Sequence, residues 1–375
     1  MIYLHIPFCR QKCSYCNFHF STSLSAKEDM LAALKKELQL RKDELKDKNL
    51  KSLYFGGGTP SLLNADELKS LTDEVLRHFT FSSDIEVTLE ANPDDLDAHF
   101  LKGLSGSVFN RLSIGTQSFF DDDLKLMNRA HNASEAESSI KRAQDFGFEN
   151  ISIDLIYGSP TSDMLLWKEN LRKTVALQVP HVSAYALTVE PKTALSSWID
   201  QKKIKPPKET EQTEEFYYLS AFLKDQGFDH YEISNFGKPG FHSRHNSAYW
   251  QGKEYLGIGP SAHSYNGERQ RSWNIANNRR YIDALGNNQL LSETEILTEK
   301  DRLNELLMIG LRTTRGIELS VLQNQFSTHI LQQLQPEINK KLQEGTLTEE
   351  NGFLKIPAEH WFLADGIASD LFIVD

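Results

Sequence analysis

Cys9, Cys13 and Cys16 are the only cysteines of the 375-residue chain, and they fall within eight residues of one another. An odd number of thiols with no distant partner cannot build a disulfide framework. Clustered thiols in a chain with no others point instead to a metal. The Cys-x3-Cys-x2-Cys spacing presents three soft thiolates from one loop. That suits three corners of a cubane iron–sulfur cluster and leaves the fourth iron open. An open iron can chelate an amino group and a carboxylate, as S-adenosylmethionine (SAM) offers. One electron from the reduced cluster then splits the sulfonium to a 5′-deoxyadenosyl radical. On spacing alone two other readings stand beside this one: buried free thiols, and a structural zinc ion with His5 or His19 as its fourth ligand.

A loop of this kind needs rigid elements to hold it. Short apolar, β-rich runs occur at 1–6, 51–55 (KSLYF), 85–89 (IEVTL), 111–114 (RLSI), 150–156 and 181–187. Between them, 27–45, 64–79, 134–146 and 165–177 carry apolar residues at helical spacing. Asn64 and Ser134, each with a glutamate three residues on (Glu67, Glu137), read as capping boxes. Strand and helix alternating in this way imply right-handed crossovers and a parallel sheet, either doubly wound or a partial (βα)6 barrel. Polar or glycine-rich residues follow every strand: the cysteine loop, Gly56-Gly57-Gly58-Thr59-Pro60, Glu90, Gln117, Asp154 and Tyr185-Ala186. Functional groups of parallel α/β folds gather at those strand ends, which favours the barrel.

The rest of the chain bounds the class. Its 39% hydrophobic and 25% charged residues are ordinary for a soluble globular protein. No apolar run reaches the roughly 20 residues of a membrane span, and the first residues lack the basic region of a secretory signal. A formal charge of -11 argues against general affinity for nucleic acid or anionic lipid. Residues 1–285 read as one large domain, and 290–375 as a small α+β, winged-helix-like appendix. The appendix has helical patterns at 299–311, 318–326 and 329–343, then two short strands around Asn351-Gly352. From 291 to 375 there are 14 Asp/Glu against 7 Lys/Arg, so a DNA-reading role is disfavoured and a lid or docking role preferred. A zinc-stabilised winged-helix regulator is the weakest of the three functional readings.

With Tyr15 just ahead of the third cysteine, the motif resembles the signature of radical SAM enzymes. The surrounding residues are more specifically similar to the family of oxygen-independent coproporphyrinogen III oxidases (HemN) and their HemW relatives, over nearly the whole chain. The resemblance implies a partial (βα)6 TIM-like barrel with a [4Fe-4S] cluster on Cys9, Cys13 and Cys16 and SAM at its mouth. It assigns Tyr3 and Tyr15 to the SAM site. Gly57, Gly58 and Thr59 match a segment approaching the methionine amino group, and Glu90, Gln117 and Arg129 match further SAM contacts. Asp154 matches a ribose position and Ala186 a backbone contact to adenine.

Within that family the oxidases carry another cysteine two residues after the third ligand, where this chain has Phe18. That departure resembles the HemW subgroup, whose members are regarded as heme chaperones. His245-Asn246-Ser247-Ala248-Tyr249-Trp250 matches its HNxxYW motif. The resemblance therefore implies heme as a ligand, with His245 the candidate iron ligand and His242 and His263 its competitors. It also implies a recipient hemoprotein of respiratory type and an electron donor for the cluster. The location implied is cytoplasmic, with any membrane contact made through a partner. The alternative is the enzyme itself, decarboxylating coproporphyrinogen III to protoporphyrinogen IX.

Overall fold

Residues 1–374 are described by a computed structural model, in which the six apolar runs form six parallel strands of one sheet. They are β1 (Ile2–Ile6), β2 (Asn49–Gly57), β3 (Thr80–Ala91), β4 (Arg111–Gln117), β5 (Ile151–Tyr157) and β6 (His181–Ala186). They lie side by side in chain order, each parallel to the next. A doubly wound sheet reverses its strand order at a switch point. Here there is no reversal, and right-handed crossovers then put every helix on one face. The other face is the barrel interior. β7 (Asp229–Glu232) and β8 (Asn235–Gly237) extend the sheet antiparallel beside β6, and β9 (Leu256–Ile258) lies parallel beside β1. The edges of β1 and β6 are thereby taken by other strands, so the barrel stays open.

Helix limits follow their caps. Asn64 and Glu67 form the expected capping box ahead of Ala65–His78. The second box is two residues earlier than the sequence reading: Asn132 accepts from the Glu135 amide at 3.0 Å, and Glu135 accepts from that of Asn132 at 2.8 Å. Asn132 has the extended backbone that a cap needs, whereas Ser134 already lies inside the helix Ala133–Asp145. The first helix, Lys27–Leu40, ends five residues short of the expected 45. Arg41 caps it and turns inward, because its guanidinium is needed elsewhere.

That need is a buried ionic cluster. Glu37, fully buried, accepts from Arg41 at 2.8 Å, the Gly259 amide at 2.8 Å and Asn274 Nδ2 at 2.7 Å, and also from the Tyr281 hydroxyl. Arg41 donates as well to the Gly257 carbonyl at 2.9 Å. The cluster fixes β9 and the following loop against the first helix. A separate three-stranded antiparallel sheet (His263–Tyr265, Gln270–Asn274, Ser292–Ile296) follows β9. The C-terminal segment contains helices Glu299–Leu311, Leu319–Gln325 and Thr328–Glu344, and a hairpin of Thr348–Glu350 with Phe353–Lys355 that pairs with Ile317–Glu318. The three helices and the hairpin expected from sequence are present, joined by a third strand, Ile317–Glu318, and a further helix, Ala364–Asp370.

Arg41→Met leaves Glu37 buried with its charge unpaired. Such a change costs about 3–5 kcal/mol, so the urea midpoint should fall steeply. A midpoint within error of the parent's would show that the cluster does not hold β9.

Candidate functional site

The cysteine loop leaves β1 at the carboxyl end of the sheet and is tied down on both sides. On one side Gly58 N donates to Ile6 O at 2.9 Å and Thr59 N to Phe8 O at 2.6 Å. A Cβ on Gly58 would lie 2.4 Å from that Phe8 oxygen, and one on Gly57 2.6 Å from the His5 ring. Gly57 also has φ +110°, so both positions demand glycine. On the other side the loop rests on the turn before Arg129. Ser14 donates to Met127 O at 3.0 Å and to Leu126 O at 2.7 Å, while Gln11 Nε2 donates to the Asn128 carbonyl and Asn128 Nδ2 to the Lys12 carbonyl, each at 2.7 Å. This docking sets Arg129 Nη1 3.3 Å from Cys13 Sγ.

All three cysteines line a cavity of about 540 Å³ at the barrel mouth. Tyr15, Gly57, Gly58, Thr59, Glu90, Gln117, Arg129, Asp154 and Ala186 line the same space. Burial pushes the Cys9 thiol up to about 12 and raises that of Cys16. Arg129 is held by Asn92 Oδ1 at 2.6 Å and the Gly115 carbonyl at 2.8 Å, while its Nε is buried without a partner. Glu90 accepts from Tyr54 at 2.8 Å and from the Gly57 amide at 3.1 Å, yet desolvation raises it to about 7. Asp154 is raised to about 6 by the same burial and accepts from Ser113 at 3.3 Å. Gln117 ends β4 at φ 64°, an uncommon backbone state for a side-chain-bearing residue and one that clusters at functional sites.

Two expected residues lie elsewhere. Tyr3 is one layer deeper in the barrel, beside Tyr54 at 6.0 Å between rings, with its hydroxyl 3.3 Å from His5 Nδ1. His245 sits deeper still, on the short helix Arg244–Trp250 that closes the interior near the amino ends of β2 and β3. It is 1% exposed, with Nδ1 paired to Ser52 at 2.9 Å and Nε2 to the Tyr249 hydroxyl at 3.2 Å. As placed, it offers a heme iron no nitrogen. His5 and His19 are engaged too, His5 with the His19 carbonyl and His19 with Asn278. Sequence reasoning missed Asn92, which orients Arg129, and gave Tyr185, 45% exposed at the rim, no role beyond its place at the end of β6. Asn92 was visible only as a residue next to Glu90-Ala91.

Residues 3–166 match the model of the radical SAM superfamily, and 297–363 that of the HemN C-terminal domain. Heme chaperone HemW of Bacillus subtilis is 36% identical over 84% of this chain and 84% of its own length. HemW of Lactococcus lactis is 35% identical over 91% of this chain and 89% of its own. The chain belongs to the HemW family of radical SAM proteins. The structure of coproporphyrinogen III oxidase (HemN) from Escherichia coli superposes at TM-score 0.83, covering 99% of this chain and 89% of that one at 22% identity, so it shares the fold. Membership of the superfamily implies a [4Fe-4S] cluster and SAM, and a mouth holding three thiols with a buried, under-partnered guanidinium fits both.

Glu90 gives a pH test. Its folded value of about 7 lies above the ordinary 4.5, so the protonated form favours the fold. That contribution is complete below pH 4.5 and is lost as pH rises through about 7. Glu90→Gln should therefore gain stability over the parent from pH 4.5 to 7, by about 1–3 kcal/mol, and hold that gain above it. Urea midpoints of SAM-free protein across pH decide it; a gain that does not change with pH refutes the burial of this charge.

Proposed function

We propose that this chain binds heme and delivers it to a hemoprotein, with a SAM-bound cluster as a second, separately placed cofactor site. The observation that carries the reading is the similarity, at 31–37% identity over most of the chain, to proteins named heme chaperone HemW. Phe18 supports it from the site side: it lines the cluster cavity and is 71% exposed, where the related oxidases place a thiol. The recipient is a hemoprotein of respiratory type, and reduction of the cluster calls for an electron donor. The setting is cytoplasmic; no helix of the described residues is long and apolar enough to cross a membrane.

At the mouth, Cys9, Cys13 and Cys16 hold the cluster, which when bound supplies a chelation point and one electron for reductive cleavage of SAM. Arg129 receives the SAM carboxylate, a planar anion suited to its fork. Gly57 and Gly58 admit the methionine backbone closely because they carry no Cβ, and Thr59 flanks it. Glu90, about half protonated at pH 7, would take a donor from the nucleoside part, as would Asp154. Tyr15, packed against Met127, Ile156, Leu187 and Leu195, walls the adenine together with the backbone of Ala186. Gln117 is held pointing at the same space by its strained backbone.

Two measurements test this. Anaerobically reconstituted protein should hold about four irons and four sulfides per chain, show an EPR signal altered by SAM, and lose all three with Cys13→Ala. Colourless protein indifferent to SAM defeats the cluster assignment. Incubation with coproporphyrinogen III, SAM and reductant should give no protoporphyrinogen, while hemin-loaded protein should pass heme to an apo-hemoprotein. Sustained decarboxylation would make the chain an oxidase instead.

A further inference from the structure

Arg129 is a cation of the mouth that also meets a thiol. Its Nη1 lies 3.3 Å from Cys13 Sγ, within reach of a hydrogen bond to sulfur. A guanidinium has five N–H groups. Three have partners here: one on Nη1 with Cys13, and both on Nη2, with Asn92 Oδ1 at 2.6 Å and the Gly115 carbonyl at 2.8 Å. Nε is buried without a partner. One side chain therefore has room for a SAM carboxylate and a bond to a cluster ligand at the same time. No carboxylate pairs with Arg129 among the described residues, so its charge stands uncancelled beside the sulfur.

Asn92 decides where that guanidinium points. It follows β3 directly and is tied to the turn after β2 by two bonds. Its backbone amide donates to Ser61 Oγ at 3.2 Å, and its Nδ2 to Thr59 Oγ1 at 3.4 Å. Ser61 donates in turn to Asp95 at 2.7 Å, and Asp95 also accepts from Arg10. With Nδ2 turned toward Thr59, Oδ1 is left to hold Arg129. The Asn92 side chain bonds to no thiol, so any effect it has on sulfur passes through Arg129. Reduction adds a negative charge to an iron–sulfur cluster, and a charged donor on a ligating sulfur stabilises that charge. Burial raises the Cys9 and Cys16 thiols, and the Arg129 charge opposes it at both.

We propose that Arg129, aimed by Asn92, raises the reduction potential of the cluster through its bond to Cys13, besides receiving SAM. Asn92 is then a positioning residue. The proposal rests on the cluster assignment above and adds to it the group that sets the ease of reduction. A carboxylate on the same guanidinium offsets part of its charge, so nucleotide binding and cluster potential meet on one side chain.

Redox titration of the anaerobically reconstituted, SAM-free full chain, followed by EPR of the reduced cluster, tests it. Arg129→Met should lower the reduction equilibrium about tenfold, which is about 59 mV for one electron, with iron and sulfide as in the parent. Asn92→Ala should lower it severalfold in the parent and not at all in the Arg129→Met background. Lys12→Gln removes an exposed charge of the same loop that bonds no thiol, and should change the equilibrium less than about twofold. An iron-replete Arg129→Met protein with unchanged potential overturns the proposal. An equal shift in Lys12→Gln overturns it too, because net charge is then the cause. An unchanged potential in Asn92→Ala overturns the positioning. Since a variant can fail to take up the cluster, the parent alone gives a second measure. Pulsed EPR of parent protein carrying isotopically labelled arginine should show a weak arginine-nitrogen coupling to the reduced cluster. Its absence in loaded protein overturns the bond to Cys13. Each of these failures leaves the cluster assignment standing, whereas a parent that takes up no iron removes both.

Discussion

The whole mouth depends on how closely the end of β2 approaches the end of β1. With no Cβ at Gly57 or Gly58, the β2 backbone can lie against His5 and Phe8 and bond to Ile6 and Phe8 carbonyls. This contact fixes where the cysteine loop begins. It also aims the Gly57 amide at Glu90, two strands away from the loop. Any side chain there separates the strands, and the thiols, the carboxylate and the glycine segment lose their common reference. A glycine pair chosen for ligand approach and one chosen for strand approach look alike in sequence; here packing alone already requires it.

Below the mouth the barrel is filled with polar and aromatic groups rather than the branched aliphatic layers usual in closed barrels. Tyr54 donates to Glu90 above and stacks near His245 below at 4.9 Å, and His245 pairs with Tyr249. Arg111, 1% exposed, lies beside His181, which in turn bonds Ser152 and Tyr231. Buried polar groups are tolerable when bonded, and nearly all of these are. Such a core has little freedom to rearrange one member alone, because each rotation orphans a neighbour.

The strand–helix alternation was legible because both periods are strong and the runs are long, so all six barrel strands fell where the apolar runs are. Sequential strand order was not legible: βαβ units are written alike whether the sheet reverses or not. The strands beyond β6 were missed for a physical reason. Leu256–Ile258 and Asn235–Gly237 are three residues each, too short to show a period, and they exist because the barrel's open edges need partners. The capping box slipped from Asn132 to Ser134 because Asn132-x-Ser134-Glu135-x-Glu137 offers two registers, and only backbone geometry picks one. At the site, the groups at strand ends were readable from position. Tyr3 was not, since alternate residues of β1 all face the barrel and depth along the axis is not encoded in the pattern.

The histidines of the motif show where residue type stops being informative. His242 and His245 are three apart, but the helix begins between them, at Arg244 with Ser243 as its cap. Ser243 accepts from the Asn246 amide, and Glu86 accepts from the His245 amide at 3.0 Å. Those bonds drive the helix end into the barrel, so the residue inside the helix becomes its plug and the one before the cap stays 38% exposed on the surface side. Burial lowers His245 to about 3, and it is neutral at any working pH. A neutral, doubly bonded imidazole in a filled core transmits position rather than taking a ligand. Tyr54 and Glu90 lie on its cluster side, and Tyr249 on the other. Glu90, Tyr54, His245 and Tyr249 thus form one continuous chain of contacts through the barrel interior.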